Sequence, residues 1–293
     1  MRAQPALRVA AAQIETVPGD LATNLAVHRR VIGQATESGV RLLVFPELSL
    51  AGHGAGEHAL KLALTRDDEA LLELAHCCAE VSAVVGFIEE APGALFYNSV
   101  ATLHAGRVVQ VHRKIALATY GKLDDGKYYG HGERLDQFTL PDDPRWRIAT
   151  PICADLWSPA LMHRLARDGA TLCAAPVSSA VEAVGTEFDN PRGWDTVLRA
   201  HALVYGLPIV FANRVGREGA LHFWGGSRIV GPRGEILAQS ETAHEELVIA
   251  DLDYRAVRNA RFDLPTIRDA RAIDAALSRH ASGNDENDIV SVS

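Results

Sequence analysis

Residues 41–45, Arg-Leu-Leu-Val-Phe, are apolar after the first position, and the run then breaks at Pro46-Glu47. A strand of that composition has no polar face to offer water, so it must lie inside a sheet covered on both sides. That requirement points to a layered α/β fold and excludes an open sheet with one wet face. The rest of the chain supplies the layers. Strands are expected at 7–14, turning polar at Glu15, at 170–175, ending at Pro176, and at 208–212. A helix at 21–38, N-capped by Asp20, puts Leu21, Leu25, Ile32 and Ala35 on one face with Val31 at its edge, and Gly39 ends it. His28 shares that face and is expected to pack with a partner at the core margin. Further helices are expected at 67–81, 160–167, 194–205 and 254–261. Strands at 83–89, 95–104 and 107–112, separated by Pro92-Gly93 and Ala105-Gly106, read as a meander. A hairpin is expected around Gly231-Pro232-Arg233-Gly234, joining 225–230 to 236–239, and a last strand at 246–252.

The chain has 293 residues, 47% of them hydrophobic, so a sizeable core is available. Its net charge of −8 excludes a general nucleic-acid binder. No stretch reaches the roughly 18 consecutive apolar residues that a membrane span needs. Arg8 and Gln13 interrupt the apolar N-terminus, which reads as no signal peptide, and a cytoplasmic protein is expected. Of the four cysteines, Cys77 and Cys78 are adjacent and no Cys-x-x-Cys pair occurs, so no metal site is expected and a reducing compartment fits. Without a repeat or linker, residues 1–280 read as one domain. Residues 281–293, small and polar with scattered acids, read as a tail, flexible or held by a partner subunit.

Three residues share one address. Glu47 ends the apolar strand, Lys114 follows the meander, and Cys153 follows a strand expected at 147–150 and precedes the helix at 160–167, where Leu161 and Leu165 stand one turn apart and Gly169 follows. Rigid sheets position the loops at their strand ends, and catalytic groups collect there. The apolar approach through Val44-Phe45-Pro46 suits Glu47 to general-base work. Lys114 supplies a fixed positive charge for a thiolate and an oxyanion. Backbone N–H groups around Cys153 are expected to favour the thiolate, and the Ala154 N–H to help hold an oxyanion. Residues 115–135, rich in Gly, Asp and Tyr, form an irregular segment of a length that is usually functional.

Taken together, Phe45-Pro46-Glu47-Leu48, then His112-Arg113-Lys114-Ile115-x-Leu117, then Ile152-Cys153-x-Asp155-x-Trp157 resemble the nitrilase, or carbon–nitrogen hydrolase, superfamily. Val9 to Gln13, Ala212 to Gly216 and Gly225 to Glu235 are similar to further family segments, so the resemblance covers about 7–270. It implies an α-β-β-α sandwich and the triad Glu47 (base), Lys114 (oxyanion cation) and Cys153 (nucleophile), with no cofactor or metal. It also implies homodimers or higher homo-oligomers paired through the helical layer next to the nucleophile. Asp125 falls where the family often has a second Glu; being one methylene shorter, it needs a closer backbone or a mediated contact. Adjacency to the strand ends makes Tyr120, Trp157 and Ser178 candidate substrate contacts, whereas Asn213 and Trp224 read as structural. The expected substrate is a small linear amide or N-carbamoyl (ureido) compound. The motif forms around Tyr120 and Trp157 look most like the glutaminase domain of glutamine-dependent NAD synthetases, but Ala154 stands where that group tends to have Glu. Ser158-Pro159-Ala160 departs from the Phe-Pro-Glu of amidase and N-carbamoyl branches. The alternatives are a free-standing glutaminase-like, ammonia-releasing protein, a nitrilase proper, an acyl transferase in which an amine resolves the thioester, and a non-catalytic scaffold.

Overall fold

A computed structural model describes residues 6–185 and 187–283. In chain order the first half runs β1 (Leu7–Gln13), α1 (Leu21–Glu37), β2 (Leu42–Val44), α2 (Ala59–Leu62), α3 (Glu69–Cys77), β3 (Ser82–Ala91), β4 (Leu95–His104) and β5 (Arg107–Arg113). There follow α4 (Asp125–Tyr128), β6 (Gln137–Leu140), β7 (Asp143–Ala149), α5 (Pro159–Arg167), β8 (Leu172–Val177) and α6 (Asn190–Tyr205). The chain closes with β9 (Ile209–Asn213), β10 (Val215–Glu218), β11 (Leu221–Trp224), β12 (Arg228–Val230), β13 (Ile236–Gln239), β14 (Glu246–Leu252), α7 (Tyr254–Asp263) and α8 (Thr266–Gly283).

Two six-stranded sheets form, ordered β14-β1-β2-β3-β4-β5 and β13-β12-β9-β8-β7-β6. Each has three parallel strands at its heart, β1-β2-β3 in one and β7-β8-β9 in the other, flanked by antiparallel partners. The side-chain period of two sorts the first sheet's residues between two cores. Val9, Ala11, Leu42 and Val44 face inward, in one cluster with Ile148, Ala174 and Phe211 of the second sheet. Ala10, Ala12, Leu43 and Phe45 face outward, beneath Leu25, Ile32 and Ala35 of α1 and Leu71 and Leu74 of α3. On the far side Met162 and Leu165 of α5 and Trp194 and Leu198 of α6 cover the second sheet. The molecule is thus a four-layer α-β-β-α sandwich, and β2 is covered on both faces as its composition requires.

Several expectations are corrected. His28 is not at the core margin: it is fully buried, with Nδ1 2.7 Å from Asn24 O, Nε2 2.9 Å from Ser49 Oγ and its ring stacked on Phe45. The helix expected at 67–81 is confined to Glu69–Cys77, with Asp68 accepting the Ala70 N–H as its N-cap. Pro176 does not end its strand; β8 continues to Val177, paired with Asn213, and its pairing with β7 stops at Cys173, so a residue without an N–H is tolerated on that unpaired side. The strand β6, the hairpin β10-β11 and the helices α2, α4 and α8 have no counterpart among the expected elements. Of the expected tail at 281–293, the first three residues end α8, and the remainder lies outside the described residues.

Candidate functional site

Glu47, Lys114, Asp125 and Cys153 meet between the two sheets. Glu47 follows β2 in a turn where Leu48 adopts φ +50°. The turn lies against Gly86 of β3 so closely that a Cβ there would stand 2.4 Å from Leu48 N and 2.5 Å from Pro46 O. Glycine is what lets the carboxylate turn pack down on the sheet. Glu47 Oε1 accepts hydrogen bonds from Lys114 Nζ at 2.6 Å and Asn98 Nδ2 at 2.8 Å, and Oε2 accepts the Ser178 N–H at 3.1 Å. The carboxylate is 1% exposed.

Lys114 leaves β5 with its N–H donated to Asn98 O at 2.9 Å and its carbonyl accepting the Gly132 N–H at 2.7 Å. Its Nζ is also 2.6 Å from Asp125 Oδ2. Burial alone would lower the Lys114 pKa, but Glu47 and Asp125, with Cys153 adding to them, hold it well above the ordinary lysine range. Asp125 reaches Lys114 directly because the backbone comes closer, not through a mediator. Its N–H donates to Ala118 O at 3.0 Å, and its own Oδ2 accepts the Ala118 N–H at 3.1 Å.

Cys153 opens a 3-10 turn, Cys153–Trp157, with φ +44°, and is 8% exposed. A β-carbon-bearing residue in that region stores about 1–3 kcal/mol of strain. Its sulfur interacts with the Glu47 carboxylate, the Lys114 ammonium and the Ser178 N–H. The electrostatics correct the expected preference for thiolate. Burial and the Glu47 charge push the thiol pKa well above its usual value, and Lys114 and the Ser178 N–H only partly oppose them. Losing the thiol proton is thereby made harder and calls for a base.

Ala154, next in the turn, is buried. Ser178 is buried beside Glu47, and its hydroxyl has no hydrogen-bond partner among the described residues. Tyr120 is 40% exposed, yet partial burial of its phenol raises its pKa, with Lys114 opposing and Glu47 adding to the shift. Trp157 packs in an aromatic cluster, 4.7 Å from the Trp194 ring and 6.0 Å from Phe188. Asn213 is structural as expected, joining Ser179 N–H and O to Gly225 O. Three site neighbours escaped the sequence reading: Asn98, His53 and Tyr129. Asn98 had a signal, a carboxamide in the apolar strand β4. Burial lowers the His53 pKa, against the pull of Glu47 and Asp125, and the Tyr129 hydroxyl is pushed up by burial and then by Asp125. Both rings carry a buried polar atom without a hydrogen-bond partner among the described residues. Among the described residues no group of three His, Cys, Asp or Glu is arranged to hold a metal. An open groove of about 790 Å³ beside Arg66, Glu89 and Arg113 lies apart from this site and contains none of the four residues.

Residues 8–262 match the family described as Carbon-nitrogen hydrolase. The chain belongs to that family. This carbon–nitrogen hydrolase is 29% identical over 256 residues to a glutamine-dependent NAD(+) synthetase of Thermotoga maritima; the match covers 84% of the chain but only 42% of that longer protein. It is 26% identical to the N-carbamoylputrescine amidase of Arabidopsis thaliana, over 86% of the chain and 88% of the relative. In fold it is similar to an amidase from Nesterenkonia sp. AN1 with a TM-score of 0.78 at 22% identity, over 96% of this chain and 98% of that one; that structure carries the acetamide moiety of fluoroacetamide added covalently at its active-site cysteine. Among the described residues no helix is long and apolar enough to cross a membrane.

Proposed function

We propose that this carbon–nitrogen hydrolase cleaves a small linear amide or N-carbamoyl (ureido) compound through a thioester on Cys153. The observation that carries the reading is the buried ammonium of Lys114, bonded at 2.6 Å to each of two acids beside the Cys153 thiol. Glu47 accepts the Cys153 proton and the sulfur attacks the carbonyl carbon. A lysine ammonium has three donors. Glu47 and Asp125 occupy two, so one remains for the oxyanion, with the Ala154 N–H as the second donor. Glu47 returns its proton to the leaving ammonia or amine. It then takes a proton from water as the water attacks the thioester, and passes it to the sulfur as the C–S bond breaks, releasing the acid and restoring the thiol. Asp125 keeps Lys114 charged and in place. Tyr120, Trp157 and Ser178 are proposed to contact the part of the substrate that does not react.

The names of similar proteins support the substrate class: N-carbamoylputrescine amidase, and a citrullinase of Francisella tularensis 26% identical to this chain. The likeness to NAD synthetases supports a second reading, a free-standing glutaminase-like protein that releases ammonia. Residues 1–280 are proposed to act as one catalytic domain in a cytoplasmic homodimer or higher homo-oligomer. Leu203 and Val204 on α6, with Ile273 and Leu277 on α8, are exposed apolar side chains on the helical layer outside the second sheet, and they support pairing through it. The test is ammonia release across amides, carbamoyl amino acids, carbamoyl amines and nitriles, with wild type beside Cys153→Ala. Turnover of an amide or ureido substrate that is lost in Cys153→Ala is expected. Turnover of nitriles alone, or full activity in Cys153→Ala, would overturn the proposal.

A further inference from the structure

Asp155 is a fully buried carboxylate two residues after Cys153, and the chemistry above does not use it. Its Oδ2 accepts the Ile152 N–H at 2.9 Å, immediately before the nucleophile. Its Oδ1 accepts two more N–H groups, from Ile115 at 3.0 Å and Ala116 at 2.7 Å, immediately after Lys114. His112 Nε2, on the other side of Lys114, stands 3.6 Å from Oδ2, with both side chains at most 2% exposed. One carboxylate therefore grips the chain on either side of the gap between the two reacting groups. The grip joins the end of β5 in one sheet to the turn after β7 in the other. A carboxylate that only capped its own turn would stop at Ile152. The turn already has the Asp155 N–H donated to Ile152 O at 3.0 Å, and the two bonds to 115–116 contribute nothing to it.

We propose that Asp155 is a positioning residue that fixes the Lys114 ammonium against the Cys153 sulfur. Hydrogen bonds to an ionised acceptor are short and strong, and buried ones are not exchanged for water. Cys153 sits at φ +44°, a conformation that needs its surroundings to hold it, and the Ile152 bond does so one residue away. Asn at this position keeps the shape but has one acceptor oxygen; its amide then faces the Ile152 N–H, donor against donor. Misplacement of a reacting group by about 1 Å costs on the order of 100-fold.

The inference rests on the proposed thioester chemistry, and the experiment separates the two. Asp155→Asn, Asp155→Glu and Cys153→Ala are compared with wild type on the best substrate of the panel. Active sites are counted by covalent trapping, so that kcat is per competent molecule. Asp155→Asn is expected to lower kcat about 10- to 100-fold with KM changed far less, the pattern of an interaction lost in the transition state. Asp155→Glu, which keeps the charge but lengthens the arm, is expected to fall similarly. A residue with only a structural role would reduce the number of competent molecules and leave kcat per site at the wild-type value, and that result overturns the proposal. Amide hydrogen exchange on wild type needs no variant: Ile115, Ala116 and Ile152 are expected to exchange slowly and together, and fast exchange at 115–116 overturns it equally. If Cys153→Ala stays active, the thioester chemistry itself fails. If Cys153→Ala is dead and Asp155→Asn has full kcat per site, only the Asp155 inference fails.

Discussion

Replacing Lys114 by Met removes one cation from a buried cluster and leaves Glu47 and Asp125 facing each other without it. Met matches the length and flexibility of Lys, so the change is chiefly electrostatic. Breaking a buried ion pair from one side costs about 3–5 kcal/mol. Glu47 keeps its bonds from Asn98 and the Ser178 N–H, and Asp125 keeps the Ala118 N–H, so the lower end, about 3 kcal/mol, is expected at pH 8. At roughly 2–4 °C per kcal/mol for a chain of this size, Tm falls by about 6–12 °C. The pH dependence has a defined sign. In wild type the raised Lys114 value means its contribution is fully present below the ordinary lysine range and is lost only as pH rises through the higher folded value. Between pH 5 and 8 it is therefore constant. In the variant the two uncompensated acids bind protons more readily folded than unfolded, so the deficit shrinks as pH falls towards the carboxylate range, about 4–5. Thermal and urea melts of wild type and Lys114→Met at pH 5 and 8 measure this. Adding Glu47→Gln and Asp125→Asn should restore most of the loss. A Lys114→Met protein within about 1 kcal/mol of wild type at pH 8, or one whose deficit grows on acidification, would refute the reasoning.

Gly86→Ala should drive the Glu47 turn off β3, since its Cβ would stand 2.4 Å from Leu48 N; kcat in the ammonia assay should drop on the order of 100-fold. Asn98→Ala removes a charge-assisted bond to Glu47, worth about 1.5–3 kcal/mol, and should lower kcat while circular dichroism shows the fold retained. His28, whose pKa burial lowers from 6.5 to about 4, should destabilise the protein in acid. Its folded value is depressed, so stability is intact above pH 6.5 and lost as pH falls towards 4, by about 3 kcal/mol in all. Urea melts of wild type and His28→Phe across that range should converge in acid, and parallel curves would show that His28 does not titrate as described.

The covered sheet was legible because Leu42, Leu43, Val44 and Phe45 leave no face for water, and the two cores divide those four residues two and two. The strand end carrying Glu47 was legible for the same reason, since an apolar run marks its own limit. What could not be read depends on contacts across the fold. Whether Asp125 meets Lys114 directly or through a mediator depended on the Ala118 contacts that close the loop around it. The thiol's raised pKa comes from burial in the folded core and then from a carboxylate over a hundred residues away, whereas local sequence offered only the backbone N–H groups, which act in the opposite direction. The β6-β7 hairpin was hidden by Pro141-Asp142-Asp143-Pro144, whose composition reads as loop although Asp143 already pairs with Leu140. The helix α8 does carry a signal in sequence, Ile267, Ala270, Ile273 and Leu277 at helical spacing, although Ile273 and Leu277 are exposed in the fold.

The central claim, that Cys153 carries the acyl group, is tested most directly by acid-quenching the enzyme during turnover of an amide and measuring its mass. The account predicts an adduct equal to the acyl part of the substrate, mapped to the peptide holding Cys153 and absent from Cys153→Ala. Turnover without such an adduct under conditions where its breakdown limits the rate, or an adduct on Cys77, Cys78 or Cys173 instead, would contradict it.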